Sequence, residues 1–297
     1  MTKGTWILIG ILVALIIATY FVMQRTGELN TSATRDTMLV KFDSAAVRRI
    51  AIHGRAGGVV LEREGAAWVM VNPLRTTGDQ RKVGEFLRMA NRIELISTAS
   101  TNPEKEGIFR VDSTGTRFVL TNDRGDSVCF VIGKQSESGG AGKADFYARK
   151  EGSHEVWLVE SILGYTSQNT PSAWRDKQIF SAPVESIDRV RYSYGDTTFS
   201  VEHHDSVWTV DGSAANAEVV SSMLRALSNF QAVDFVDTAV VPMPKPMAAV
   251  EVQGKLLTFF PLDGKRAMVV ASDNPQHFVV YDWTYSEILK RKKQFLR

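Results

Sequence analysis

Residues 59–69 read VVLEREGAAWV and residues 199–209 read FSVEHHDSVWT. Each is a short, largely apolar or alternating run, then a polar turn, then a second strand opening near tryptophan, which is a hairpin pattern. Placing Trp68 on Trp208 sets Glu62 on Glu202, Leu61 on Val201 and Val59 on Phe199, all at one offset of 140. Upstream, VRRIAIHG from Val47 answers IDRVRYSYG from Ile187. One matched hairpin is a weak signal, because hairpins resemble one another, so the weight falls on the helix downstream of it.

In DQRKVGEFLRMANRI, Val83, Phe86, Leu87, Ala90 and Ile93 form a stripe at helical spacing. A shift of 137 turns them into Val220, Met223, Leu224, Leu227 and Phe230, apolar for apolar, and sets Asp79 on Asn216. Both are N-cap residues, whose side-chain oxygen accepts from an unpaired amide of the first helical turn. The later segments agree more loosely: RFVLTNDRGDSVCFVIG, DFYARKEGSHEVWLVE and SILGYTSQ against AAVEVQGKLLTFFPLDG, RAMVVASDNPQHFVVYD and YSEILKRKKQ. Both runs close on a related string, RDKQIF from Arg175 and RKKQFLR from Arg291. The expectation is an α+β fold made of two tandem copies of an antiparallel-hairpin-plus-helix unit, over residues 40–177 and 178–297. A feature found in both copies serves the shared fold, whereas binding or chemistry is expected in one copy. Trp68 and Trp208 are therefore expected to be core anchors.

The N-terminus predicts a membrane anchor. Residues 6–23, WILIGILVALIIATYFVM, carry no charge, and as a helix they extend roughly 27 Å at about 1.5 Å per residue, close to a bilayer's hydrocarbon thickness. The run is long for a signal peptide, and bulky TYFVM stands where a small-residue cleavage pattern belongs, so an uncleaved anchor over 1–24 and a polar tether over 25–39 are expected. Lys3 and the terminal amine on one side nearly balance Arg25 and Arg35 on the other. The placement expected is a single pass of the inner (cytoplasmic) membrane with the C-terminal domain in the periplasm, and membrane lipid as a partner through residues 6–23.

Composition narrows the function classes. Of 297 residues, 44% are hydrophobic and 23% charged, ordinary globular proportions, and the net charge of +2 gives no field to hold nucleic acid. The single cysteine, Cys129, lies in the apolar run SVCFVIG and excludes an internal disulfide. His203, His204 and Asp205 carry metal-ligating groups, but adjacent strand residues point to opposite faces and the other hairpin has Arg63, Glu64 and Gly65 there, so a polar turn is expected. Around Lys143, ESGGAGKA departs from a phosphate-binding loop at Glu137 and at Ala144. There is no G-x-S-x-G, H-E-x-x-H or C-x-x-C. No enzyme activity, cofactor or metal is expected. The terminal basic cluster, Lys290, Arg291, Lys292, Lys293 and Arg297, is a candidate contact for a partner or anionic lipid; its other reading is cations complementing the end of a closing helix.

An N-terminal apolar segment, then FDSAAVRRIAIHGRAGGVVLEREGAAWVMVNP, a polar spacer, an amphipathic helix and the closing WRDKQIF together resemble the family catalogued as domain of unknown function 4340. The resemblance extends over nearly all the chain beyond residue 40. It implies a non-catalytic, membrane-tethered envelope protein acting as an accessory subunit of an ABC-2-type exporter of the gliding-motility kind, an integral membrane complex, and it carries over no site residues. Two alternatives stay open: a structural subunit or assembly factor of a respiratory or photosynthetic complex, and an extracytoplasmic ligand-binding module.

Overall fold

Period-two burial runs through most of the chain, and it builds sheets. The computed structural model describes residues 37–55, 57–137, 145–166, 169–195, 197–237 and 243–296. In the first half, β1 (Val47–Gly54), β2 (Gly57–Glu64), β3 (Ala67–Asn72), β4 (Thr76–Thr77), β5 (Glu94–Ser100), β6 (Thr116–Asn122), β7 (Ser127–Gln135), β8 (Asp145–Lys150) and β9 (Val156–Glu160) form a nine-stranded antiparallel sheet, ordered β4-β3-β2-β1-β6-β7-β8-β9-β5. After β10 (Gln178–Ser181), the second half supplies β11 (Arg189–Tyr194), β12 (Thr197–His204), β13 (Val207–Val210), β14 (Ser213–Ala214), β15 (Asn229–Gln231), β16 (Asp234–Phe235), β17 (Ala248–Val252), β18 (Lys255–Pro261), β19 (Arg266–Ala271) and β20 (Asn274–Tyr281). Its nine-stranded sheet runs β14-β13-β12-β11-β17-β18-β19-β20-β16, the same order strand for strand, while β10 and β15 pair separately.

Among the described residues the helices are few. They are α1 (Gln80–Ala90), α2 (Glu106–Phe109), α3 (Leu163–Thr166), α4 (Ala217–Ser228), α5 (Asp282–Ile288) and α6 (Lys292–Phe295). The apolar stripe Val83, Phe86, Leu87 and Ala90 is the buried face of α1; Val220, Met223, Leu224 and Leu227 are that of α4. Phe86 stacks on Phe118 of the sheet at 5.6 Å and meets Trp174 edge-on at 5.5 Å, so helix and sheet close over one aromatic core. A second, separate core gathers residues from Ile179 to Phe295. Each fully buried side chain of this size contributes about 1.5–3 kcal/mol.

Matching positions make matching bonds. Arg49 faces Glu62 across β1 and β2 and pairs with it at 3.2 Å; Arg189 faces Glu202 across β11 and β12 and pairs at 2.9 Å. The Gly78 amide donates to the Trp68 carbonyl at 3.0 Å and the Ala215 amide to that of Trp208 at 2.8 Å, tying each hairpin to the start of its helix.

Two expectations are corrected by this architecture. Among the described residues the class is mostly β, with strand outweighing helix by 48% to 21%, and not the expected α+β. The physical reason is length: SILGYTSQ holds one helical turn, α3, and YSEILKRKKQ contributes only to the end of α5 and to α6, because neither sustains an apolar stripe beyond two turns. The single-pass inner-membrane placement is corrected too, since among the described residues no helix is long and apolar enough to cross a membrane; the longest, α4, has 12 residues. The expected span over 6–23 lies outside the described residues. The end of the expected tether joins the first core: Leu39 is buried, its amide donates to Ile93 O, and Leu95 N–H donates to Thr37 O.

Arg175 sits at the seam between the two units. Its backbone belongs to the first, bridging to Gly78, with Asp176 N–H donating to Thr77 O. Its side chain, 3% exposed, enters the second. There Nε and Nη2 donate to Gln276 Oε1 at 2.9 and 2.8 Å, Nη1 donates to Asp237 Oδ1 at 2.6 Å, and the guanidinium lies 3.6 Å over the Phe235 ring. Planar geometry lets one cation satisfy an amide, a carboxylate and an aromatic face together.

Candidate functional site

Three of the C-terminal basic residues, Lys290, Arg291 and Lys292, are held by the fold. Lys290 Nζ meets Glu287 Oε2 at 3.2 Å, and Lys292 Nζ meets Asp211 Oδ2 at 2.6 Å. Arg291 caps α6 and stacks its guanidinium 4.0 Å over Tyr194. Two inner-face tyrosines of β11 fix this stretch, Tyr192 donating to Ile288 O at 3.0 Å and Tyr194 to Lys290 O at 2.9 Å. Burial pushes the Tyr194 hydroxyl up to about 12, against the lowering pull of Arg291, so it stays a donor. Lys293 is exposed, and Arg297 lies outside the described residues.

His203, His204 and Asp205 do not converge. His203 packs beside Trp208 at 5.1 Å, His204 Nε2 lies 3.2 Å from Glu202, and Asp205 with Ser206 forms the two-residue loop between β12 and β13, both at positive φ (49° and 69°). Among the described residues no group of three or more His, Cys, Asp or Glu could hold a metal. A shallow groove of about 740 Å³ runs over the outer face of this sheet, with Arg189, Glu202, His204 and Asp211 in its wall. Acidic and basic side chains are mixed in it: Arg189 pairs with Glu202, Asp211 pairs with Lys292, and Arg191 faces Glu251 across β11 and β17.

A pocket in the first unit is built differently. It measures about 470 Å³ and opens where α2, β6, β7 and α3 meet, beside the turn after β1. Arg55, Arg110 and Lys134 stand around it, and its wall contains no carboxylate. None of the three makes an ion pair or side-chain hydrogen bond among the described residues. Lys134 is delivered by an irregularity in β7, whose pairing with β8 skips from Ile132 to Gln135 and frees the intervening residues from the ladder. The chain closes tightly here, since a Cβ on Gly133 would collide with the Phe109 carbonyl oxygen. Thr116, 5% exposed, stands in the wall, and its hydroxyl has no partner among the described residues. The pocket was not legible in the sequence. Its three cations are scattered over 79 positions, and only the glycine beside Lys134 hinted at close backbone approach.

At the far end of the second sheet, Tyr281 closes β20 and Trp283 is the second residue of α5, their rings stacked at 4.1 Å and 17°. Trp283 is 62% exposed. At the corresponding corner of the first sheet β9 ends on Glu160 and exposed Ile162 takes the place, so the aromatic pair belongs to one unit.

A family model described as Domain of unknown function (DUF4340) matches residues 68–248, more than half the chain. The chain belongs to the DUF4340 family. No curated protein and no solved structure matches it. The DUF4340 match opens at Trp68 in β3 and ends at Ala248, the first residue of β17, so it takes in the seam at Arg175 and both Arg110 and Lys134 of the pocket. Arg55, Trp283 and the terminal basic segment lie outside the DUF4340 span.

Proposed function

We propose that the chain is a non-catalytic accessory subunit that docks on a larger protein assembly, of the ABC-2-type transporter kind that its family resemblance suggests. The observation carrying this reading is the Tyr281–Trp283 stack. A tryptophan left 62% exposed keeps a large apolar surface in water, and stacking on Tyr281 holds the ring in place before any partner arrives. Tryptophan and tyrosine are the residues most enriched where protein interfaces concentrate their binding energy. The pair rides on the junction of a sheet strand and a helix, a firm mount for a contact surface.

Co-purification in mild detergent tests the reading. Tagged wild-type chain is expected to retain transporter subunits and Trp283→Ala to lose most of them, while both fold alike by circular dichroism. Recovery of the wild-type chain with transporter subunits at background would sink the proposal. The ligand-binding alternative draws its support from the cationic pocket of the first unit, on separate residues.

A further inference from the structure

We infer that the pocket bounded by α2, β6, β7 and α3 is a binding site for a phosphate dianion, carried by a small molecule or a lipid headgroup. The inference goes beyond the docking reading and uses none of its residues, so either can fail without the other.

Charge gives the first reason. Arg55, Arg110 and Lys134 share one concave surface whose wall has no acidic side chain. Like charges gathered without a counter-ion raise the energy of the folded state, most of all at low salt, and an anion entering the pocket removes that repulsion. The two carboxylates that flank α2 are committed elsewhere. Asp112 accepts from the Thr114 hydroxyl at 2.6 Å and its amide at 3.1 Å, and Glu106 is shared between His154 at 2.9 Å and Arg149 at 3.4 Å. The groove of the second unit is the contrast within the molecule, because Asp188, Glu202, Asp211 and Glu251 stand in the same wall as its arginines and Glu202 pairs with Arg189.

Shape and hydrogen bonding point the same way. Two arginines and a lysine offer a fork-and-point donor set suited to a tetrahedral oxyanion. The Thr116 hydroxyl adds a neutral donor in the wall. Ile132 and Phe146 line the rest, and about 470 Å³ exceeds the needs of a bare ion, leaving apolar wall for whatever bears the phosphate. The close approaches at Gly115 and Gly133, where a Cβ would strike the Arg110 and Phe109 carbonyl oxygens, keep that wall backbone-tight.

Titration calorimetry of the full chain with inorganic phosphate, near neutral pH and at low salt, tests the inference. Saturable binding is expected, weakening as salt rises. Arg110→Gln and Lys134→Gln should each weaken it about tenfold, one charge-assisted contact apiece. The triple variant Arg55→Gln, Arg110→Gln, Lys134→Gln should abolish it, and the charge-keeping Arg110→Lys should restore part of what Arg110→Gln loses. Should the triple variant melt early, the single variants decide. Glycerol 3-phosphate and vesicles containing phosphatidic acid separate the sources: tighter binding of the first assigns a soluble phosphomonoester, and flotation lost in the triple variant assigns a headgroup. Absence of saturable binding to all three probes, or undiminished binding by the triple variant, overturns the inference.

Discussion

Lys292 sets its ammonium 2.6 Å from Asp211 Oδ2, although 81 positions separate them in the chain. That contact, with the Ser200 amide donating to Oδ1, holds the Asp211 carboxyl below the usual carboxylate range, Lys292 being the larger cause. A carboxyl whose folded pKa is depressed contributes stability that is complete above its unfolded value and disappears as pH falls through the folded one. The pair is partly exposed, so its contribution is small and screened by salt. Carboxyl resonances followed by NMR should show Asp211 titrating low in the wild type and moving up in Lys292→Gln. The stability gap between the two proteins should close in acid. An unmoved Asp211 would mean that the ion pair does not form in solution. The basic string at the C-terminus was plain in the sequence, but its partners were not, because Asp211 and Tyr194 become neighbours only once β11, β12 and α6 pack together.

Among elements, α1 and α4 show how much of the fold could be read beforehand. Their stripes and caps are local, set by residues three or four apart, and local patterns survive in a sequence. Asp79 accepts from Lys82 N–H at 3.0 Å; Asn216 accepts from Glu218 and Val219 N–H at 3.0 and 3.2 Å. Asp79→Ala and Asn216→Ala should each lower unfolding free energy by about 1 kcal/mol, and the double variant by nearly the sum, since the caps lie in different units. Chemical denaturation measures this, and a cost near zero at either site would rule out a working cap there. The hairpin offset of 140 is equally local, and it lands Arg49–Glu62 and Arg189–Glu202 on equivalent ladder positions. The fold class was misjudged because short apolar runs such as SILGY look helical without having the length to be more than one turn. Two-residue edge strands such as β4 and β14 carry no pattern at all. The phosphate-pocket residues come from the turn after β1, the end of α2 and the irregular stretch of β7, places where periodicity says nothing.

On the scale of the whole molecule, two sheets of the same strand order meet at one buried guanidinium. WRDKQIF reads in the sequence as a closing string, and nothing in it tells that Arg175 reaches into the other unit, because Gln276 and Asp237 are 101 and 62 residues away. Removing Asp237 leaves a nearly buried cation with only a neutral acceptor and an aromatic face. Asp237→Ala is therefore expected to cost about 2 kcal/mol, below the full penalty for breaking a buried pair because Asp237 itself is half exposed. In Arg175→Met with Asp237→Ala the loss should be smaller than the sum of the single losses. Strict additivity in that cycle, measured by denaturation, would show that the two side chains are not coupled.

The same seam alters what cutting the polypeptide would do. Residues 178–181 form β10, which pairs with β15 of the following unit, and Arg175 is lodged there as well. A nick in the exposed stretch around Pro183 would leave the N-terminal piece holding a borrowed strand and a buried plug inside its neighbour, so the severed halves should stay clasped until they are unfolded.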